Sequence, residues 1–117
     1  MNARQRALRF LAIKCLGCMA CRRAVYLGLI AITAIAEVHH LNEDGHAGQA
    51  RRGDEYTIGL CKWHHRGEPP FPSITVTQAT KLYGPSLKHE PRRFREVYGS
   101  DDALLEKQDQ LIAMEVA

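Results

Sequence analysis

Glu37-Val38-His39-His40 opens, and Leu60-Cys61-Lys62-Trp63-His64-His65-Arg66 closes, the stretch that decides how this chain is read. Two histidine doublets sit at its ends, holding four of the six histidines, and Cys61 precedes the second doublet by three positions. Upstream, Cys18-Met19-Ala20-Cys21 supplies a close cysteine pair. Tetrahedral zinc takes four ligands from thiolate and imidazole, commonly as two half-sites each carried by one turn of chain. Cys18 and Cys21 form one half-site. Cys61 and His64, three apart at a helix start and so on one face, form the other. Cys15 is a rival to Cys18, with Gly17 favouring Cys18 by freeing the backbone before it. The plainer alternative is a set of buried thiols without a metal.

The doublets carry further information. Neighbouring side chains on a strand point to opposite faces, so His39 and His40 do different jobs. On a helix His64 and His65 lie about 100° apart. With His64 at the zinc, His65 faces another site, and His39, His40 and His65 become candidates for a second centre. Neutral imidazole is a good metal ligand, and its ordinary pKa of about 6.5 also suits it to general-base work.

The 117 residues suit one domain, small enough that a metal staple would help it fold. A composition 45% hydrophobic and 25% charged is that of a folded globular protein and argues against wholesale disorder. Charge is placed unevenly. Residues 1–100 carry 15 Lys and Arg against 8 Asp and Glu, whereas residues 101–117 set Lys107 against five acids. A basic body with an acidic tail fits a polyanion-binding surface and a separate helix. The apolar run Phe10–Ile13 is too short for an export signal, and Ala24–Ala36 is too short to span a bilayer. The expected location is the cytoplasm, where thiols stay reduced and available to metal.

Local patterns predict a helix over Ala3–Lys14, with Leu8, Leu11 and Ala12 on its apolar face and arginines opposite, ended by Gly17. Cys15–Arg23 reads as a compact turn. Val25–Val38 reads as two strands or one bent strand, with a buried helix as the competitor. Residues 41–53 form a polar, glycine-marked loop, and Asp54–Gly59 a short strand. A short helix runs from near Leu60 to Gly67, before Pro69 and Pro70. Helices are also expected at Val76–Tyr83, at Pro91–Tyr98 closed by Gly99, and over Ala103–Met114 with Leu104, Leu105, Leu111 and Ile112 as its stripe.

The succession Cys18-x-x-Cys21, Glu37-Val38-His39-His40 and Asp54 through Cys61-Lys62-Trp63-His64-His65 resembles an HNH (ββα-metal) endonuclease. Phe94-Arg95-Glu96-Val97-Tyr98-Gly99-Ser100, followed by an acidic, leucine-bearing helix, narrows the resemblance to the phage and prophage recombination-enhancement (Ref-type), RecA-dependent nucleases. The resemblance implies an α+β fold: a small zinc-stabilised, treble-clef-like ββα-metal core over residues 15–99, flanked by N- and C-terminal helices in one domain. It implies His39 and His65 as ligands of a catalytic Mg2+, Mn2+ or Zn2+, and His40 as the general base. It also implies a 5′-phosphate and 3′-hydroxyl product, a single- or displaced-strand DNA substrate, a RecA-type filament as partner, and a phage or prophage source within a bacterial cell. Many relatives place a further ligand about four residues after the His65 position, where this chain has Pro69. His89 is the expected third ligand, with Asp54 and Glu68 as rivals; Asp54 could instead pin the loop that carries His40.

Arg51, Arg52, Arg66, Arg92 and Arg93 are the expected DNA contacts, since guanidinium binds phosphate through two donors. Trp63 could stack on a base, although a tryptophan beside a zinc helix is more often core. Two other function classes compete. A non-catalytic treble-clef zinc module that binds nucleic acid needs the four zinc ligands but not His40. A redox or metal sensor needs only the cysteines.

Overall fold

A computed structural model describes residues 1–29, 35–41 and 53–116. The element order is α1 (Ala3–Leu16), α2 (Met19–Tyr26), β1 (Glu37–His40), β2 (Thr57–Leu60), α3 (Lys62–Arg66), α4 (Val76–Tyr83), α5 (Pro91–Tyr98) and α6 (Asp101–Val116). This is a small α+β fold, and its strands form a two-stranded antiparallel sheet.

The register pairs Glu37 with Leu60, Val38 with Gly59, His39 with Ile58 and His40 with Thr57. Directly opposed residues share a face. Glu37 and His39 therefore stand with Ile58 and Leu60 on one face, and Val38 and His40 with Gly59 and Thr57 on the other. The C-terminal end of α1 covers the second face. A Cβ on Gly59 would lie 2.8 Å from the Gly17 carbonyl oxygen and 2.9 Å from Ile13 Cγ2, so only glycine lets the helix approach this closely.

The outer edge of β2 is finished by side chains. Gln108 of α6 is fully buried; its Oε1 accepts from the Gly59 N–H at 2.8 Å, and its Nε2 donates to the Thr57 carbonyl at 2.8 Å. The amide thus satisfies two ladder groups that a third strand would otherwise take. Arg9 of α1 adds a donor to the same carbonyl at 2.7 Å and another to Thr57 Oγ1 at 2.9 Å, while its Nη1 reaches Asp109 at 2.9 Å.

Local signals fix several helix ends. Asn2 and Gln5 form a capping box at the start of α1, Gly17 ends it, and Thr75 with Gln78 repeats the box on α4. Pro91 opens α5 and Gly99 ends it. The core gathers Trp63, Phe94, Tyr83, Tyr98, Leu104 and Leu105 around the cysteines. Trp63 is fully buried and donates its indole N–H to the Gly84 carbonyl at 3.0 Å, so it packs the core and offers no face to a base.

Four local expectations are corrected. Residues 15–23 are not a compact turn: α1 runs on to Leu16, and α2 begins directly after Cys18. Met19, Ala20, Cys21 and Ala24 repeat at helical spacing and are buried there, and no glycine or proline interrupts them. The strand expected from Val25 is confined to Glu37–His40 among the described residues; Val25 and Tyr26 are instead the exposed last turn of α2, 64% and 85% accessible. Residues 30–34 of that expected strand, and 42–52 of the loop, lie outside the described residues. The second strand starts at Thr57 because Asp54 turns the chain: Tyr56 N–H donates to the Gly53 carbonyl at 2.9 Å and Thr57 Oγ1 to the Asp54 carbonyl at 2.8 Å. On α1 the packed stripe holds Ile13 and Leu16 with half-buried Arg9, while Leu8 and Leu11 are exposed; the i, i+4, i+7 spacing that packs runs through Arg9.

Candidate metal centres and catalytic site

Cys18 is the N-cap of α2 and Cys61 the N-cap of α3. Each sulfur accepts from the backbone N–H three residues on, Cys18 from Cys21 at 3.3 Å and Cys61 from His64 at 3.5 Å. The two caps aim their sulfurs into one buried space with Cys21 and His64, whose ligand atoms lie within 4.8 Å of one another. The Cys21 and Cys61 sulfurs are 3.8 Å apart, and His64 Nδ1 is 3.6, 3.5 and 3.2 Å from the sulfurs of Cys18, Cys21 and Cys61. Tetrahedral zinc with its usual bond lengths sets S···S at about 3.8 Å and S···N at about 3.5 Å. The donor set can therefore hold a metal ion such as zinc. Cys15, the rival ligand, is exposed and outside the cluster.

The surroundings favour that use. His64 Nε2 lies 2.9 Å from the Tyr83 carbonyl, which takes its N–H and leaves Nδ1 toward the sulfurs. Tyr98 Oη donates to the same carbonyl at 2.8 Å, and burial, with the nearby sulfurs, raises its pKa so that it stays a donor. Burial likewise pushes the Cys18 thiol up, helped by Cys21 and Cys61. Cys61 is held far below the usual thiol range by hydrogen bonds from Cys18 and Cys21 and by His64. Burial works to lower the His64 pKa, yet the Cys21 and Cys61 sulfurs push it up to about 9.

A second group lies on the other side of α3. His65 faces the Glu37–His39 face of the sheet, and His39 Nδ1 is 3.2 Å from His65 Nε2. The other His65 nitrogen, Nδ1, is 3.0 Å from Glu37 Oε1. The same carboxylate binds Arg66 through both oxygens, with Nε at 3.0 Å and Nη2 at 2.7 Å. Burial works to raise the Glu37 pKa, but Arg66 and His65 hold it below the ordinary carboxylate value. Two nitrogens sharing one ion sit about 2.9–3.4 Å apart, depending on the coordination angle. The His39–His65 spacing fits that range.

His40 turns to the opposite face, as strand alternation requires. Its Nε2 is 3.1 Å from Asp54 Oδ1, and its ring meets the edge of Phe10 with centroids 6.0 Å apart. The His40 hydrogen bond, with Arg6 3.5 Å away, keeps Asp54 below the ordinary carboxylate pKa. Asp54 thus meets His40, which is the pinning arrangement, and not the His39–His65 pair.

His89 is placed elsewhere. Its Nε2 lies 2.9 Å from the Gly67 carbonyl and its ring tilts over Trp63, centroids 5.9 Å apart. It closes over the C-cap of α3, and no cluster of His39, His65 and His89 forms among the described residues. Glu68 ion-pairs with Lys62 at 3.7 Å and Arg66 at 3.5 Å. Arg92 pairs with Glu96 at 3.6 Å, Arg93 is exposed, and Arg51, Arg52 and His46 lie outside the described residues.

Glu37 was missed as a site residue. Its signal was present: an acid two positions before His39 on a strand shares its face. The Tyr83 carbonyl behind His64 had no signal, because any residue supplies a carbonyl.

A family profile described as recombination enhancement, RecA-dependent nuclease, matches residues 2–113. No curated protein and no solved structure gives a significant match. No helix among the described residues is long and apolar enough to cross a membrane.

Proposed function

The chain belongs to the recombination-enhancement, RecA-dependent nuclease family, and we propose that it is an HNH-type, metal-dependent DNA endonuclease acting through His39, His40 and His65. Membership implies a nuclease with a nucleic-acid substrate; the chemistry below is our reading of the site. The observation that carries it is the 3.2 Å approach of His39 Nδ1 to His65 Nε2, on the β1–β2–α3 succession that also carries half of the zinc-type cluster. A divalent cation held there would act as a Lewis acid on a phosphate oxygen and the departing 3′ oxygen.

The chain's own residues do the rest. His39 and His65 would hold the cation, with the third protein ligand left open by the position of His89. Asp54 accepts the Nε2–H of His40 and so leaves Nδ1 as the base that takes a proton from the attacking water. The Asp54 charge then stabilises the imidazolium, as a carboxylate does in other His-dependent hydrolases. The Cys18, Cys21, Cys61 and His64 cluster, when loaded with zinc, would tie α3 to α2 and so help hold His65 in place. Arg66, Arg92 and Arg93 are proposed phosphate contacts, as are Arg51 and Arg52. A 5′-phosphate product, a single or displaced strand as substrate, a recombinase filament as partner and a cytoplasmic, phage- or prophage-type setting complete the proposal.

Nicking of plasmid and single-stranded DNA with Mg2+, Mn2+ or Zn2+, with and without a recombinase filament, tests it. His40→Ala should fold, retain its zinc and bind DNA, but cut about 10²- to 10⁴-fold more slowly. Equal cutting by wild type and His40→Ala would remove the catalytic assignment and leave the non-catalytic zinc module as the better reading.

A further inference from the structure

We infer that Glu37 is a positioning residue that fixes His65 in the metal-binding form and locks Arg66 beside it. The inference rests on the reading of His39 and His65 as a metal pair. Histidine presents a lone pair on one nitrogen only when the other carries the proton, and a carboxylate on the second nitrogen sets which is which. Glu37 Oε1 lies 3.0 Å from His65 Nδ1, so that nitrogen is the donor and Nε2 keeps its lone pair toward His39. The ring cannot turn over without losing both contacts.

The carboxylate itself is held. Arg66 Nε and Nη2 grip its two oxygens at 3.0 and 2.7 Å, a two-point pairing that fixes the carboxylate plane. The register adds the remaining constraint: Glu37 and His39 are two apart on β1, and His65 and Arg66 are consecutive on α3. One carboxylate therefore ties strand to helix at the point where two imidazoles from those elements meet. Asp at position 37 would be one methylene short of this reach, and Gln would keep an acceptor for His65 without the charge that grips Arg66.

Mn2+ titration of zinc-loaded protein, read by electron paramagnetic resonance, and ¹⁵N NMR of the imidazole rings before Mn2+ is added, test the assignment. Wild type should show His65 protonated at Nδ1 and unprotonated at Nε2. Glu37→Ala should mix the two tautomers and weaken Mn2+ binding about 10- to 100-fold. Glu37→Gln should restore the tautomer and part of the affinity, a recovery that mere packing would not give to one substitution only. Mn2+ binding that needs His65 but is unchanged in Glu37→Ala, with an unchanged tautomer, overturns the role of Glu37 alone. Mn2+ binding that survives both His39→Ala and His65→Ala overturns the metal pair, and the role of Glu37 with it.

Discussion

His64 is fixed from behind by Tyr83: its Nε2 stands 2.9 Å from that residue's carbonyl, so the ring offers Nδ1 to the three sulfurs. The orientation of the fourth ligand thus comes from backbone on a helix 19 positions away in sequence. Since the cluster joins α2 to α3 through the core, removing an ion bound there should cost a sum comparable with the whole stability of a small domain, about 5–15 kcal/mol. Chelation or Cys61→Ala should collapse the thermal transition, and Cys15→Ser should leave zinc content and melting unchanged. A soluble Cys61→Ala protein that melts as wild type does would sink the structural-metal reading.

The C-cap of α3 makes a second prediction. Gly67 has φ of 68° and would place a Cβ against the His89 ring, whereas Gly28, at φ of 75°, has open space around it. Gly28→Ala should cost about 1–2 kcal/mol for the left-handed backbone alone. Gly67→Ala should cost more, and His89→Ala should recover part of the excess in the double mutant. Denaturant melts of the four variants measure this coupling.

Gln108→Leu preserves approximate volume and removes the amide. Gly59 N–H is then buried without a partner, while the Thr57 carbonyl still receives Arg9. One orphaned donor costs about 1–3 kcal/mol. Urea unfolding should show that loss, and hydrogen exchange should find the Gly59 amide less protected.

Glu37 gives a pH prediction whose sign follows from its lowered pKa. A carboxyl depressed below its ordinary value of 4.5 stabilises the fold at pH above that value. The contribution disappears as pH falls through the lowered folded value. Because the side chain is about a third exposed, the effect should stay below about 1 kcal/mol. Wild type should melt slightly higher than Glu37→Gln at pH 7, and the two curves should converge in acid.

The site was readable in the sequence wherever spacing alone determined geometry. Three-residue separations brought Cys18 to Cys21 and Cys61 to His64, and strand alternation separated His39 from His40. Proline and glycine placed α5 to the residue. What escaped depended on distant partners. Val25 and Tyr26 look like strand residues, but α2 carries them to its exposed end. His89 looked free to reach a metal, but Gly67 leaves room for its ring at the end of α3. Gln108 reads as a polar break in an apolar stripe and becomes core only because the β2 edge needs an amide.

That amide also constrains when the fold can be completed. Gly59 waits for residue 108 and Thr57 for Arg9, which itself reaches Asp109, 100 positions away. On the ribosome, the Cys/His cluster cannot settle before Tyr83, whose carbonyl orients His64, has emerged, and the sheet edge must stay open until Gln108 follows. The order of synthesis would therefore let Cys18, Cys21, Cys61 and His64 gather before the β2 edge is finished by Gln108.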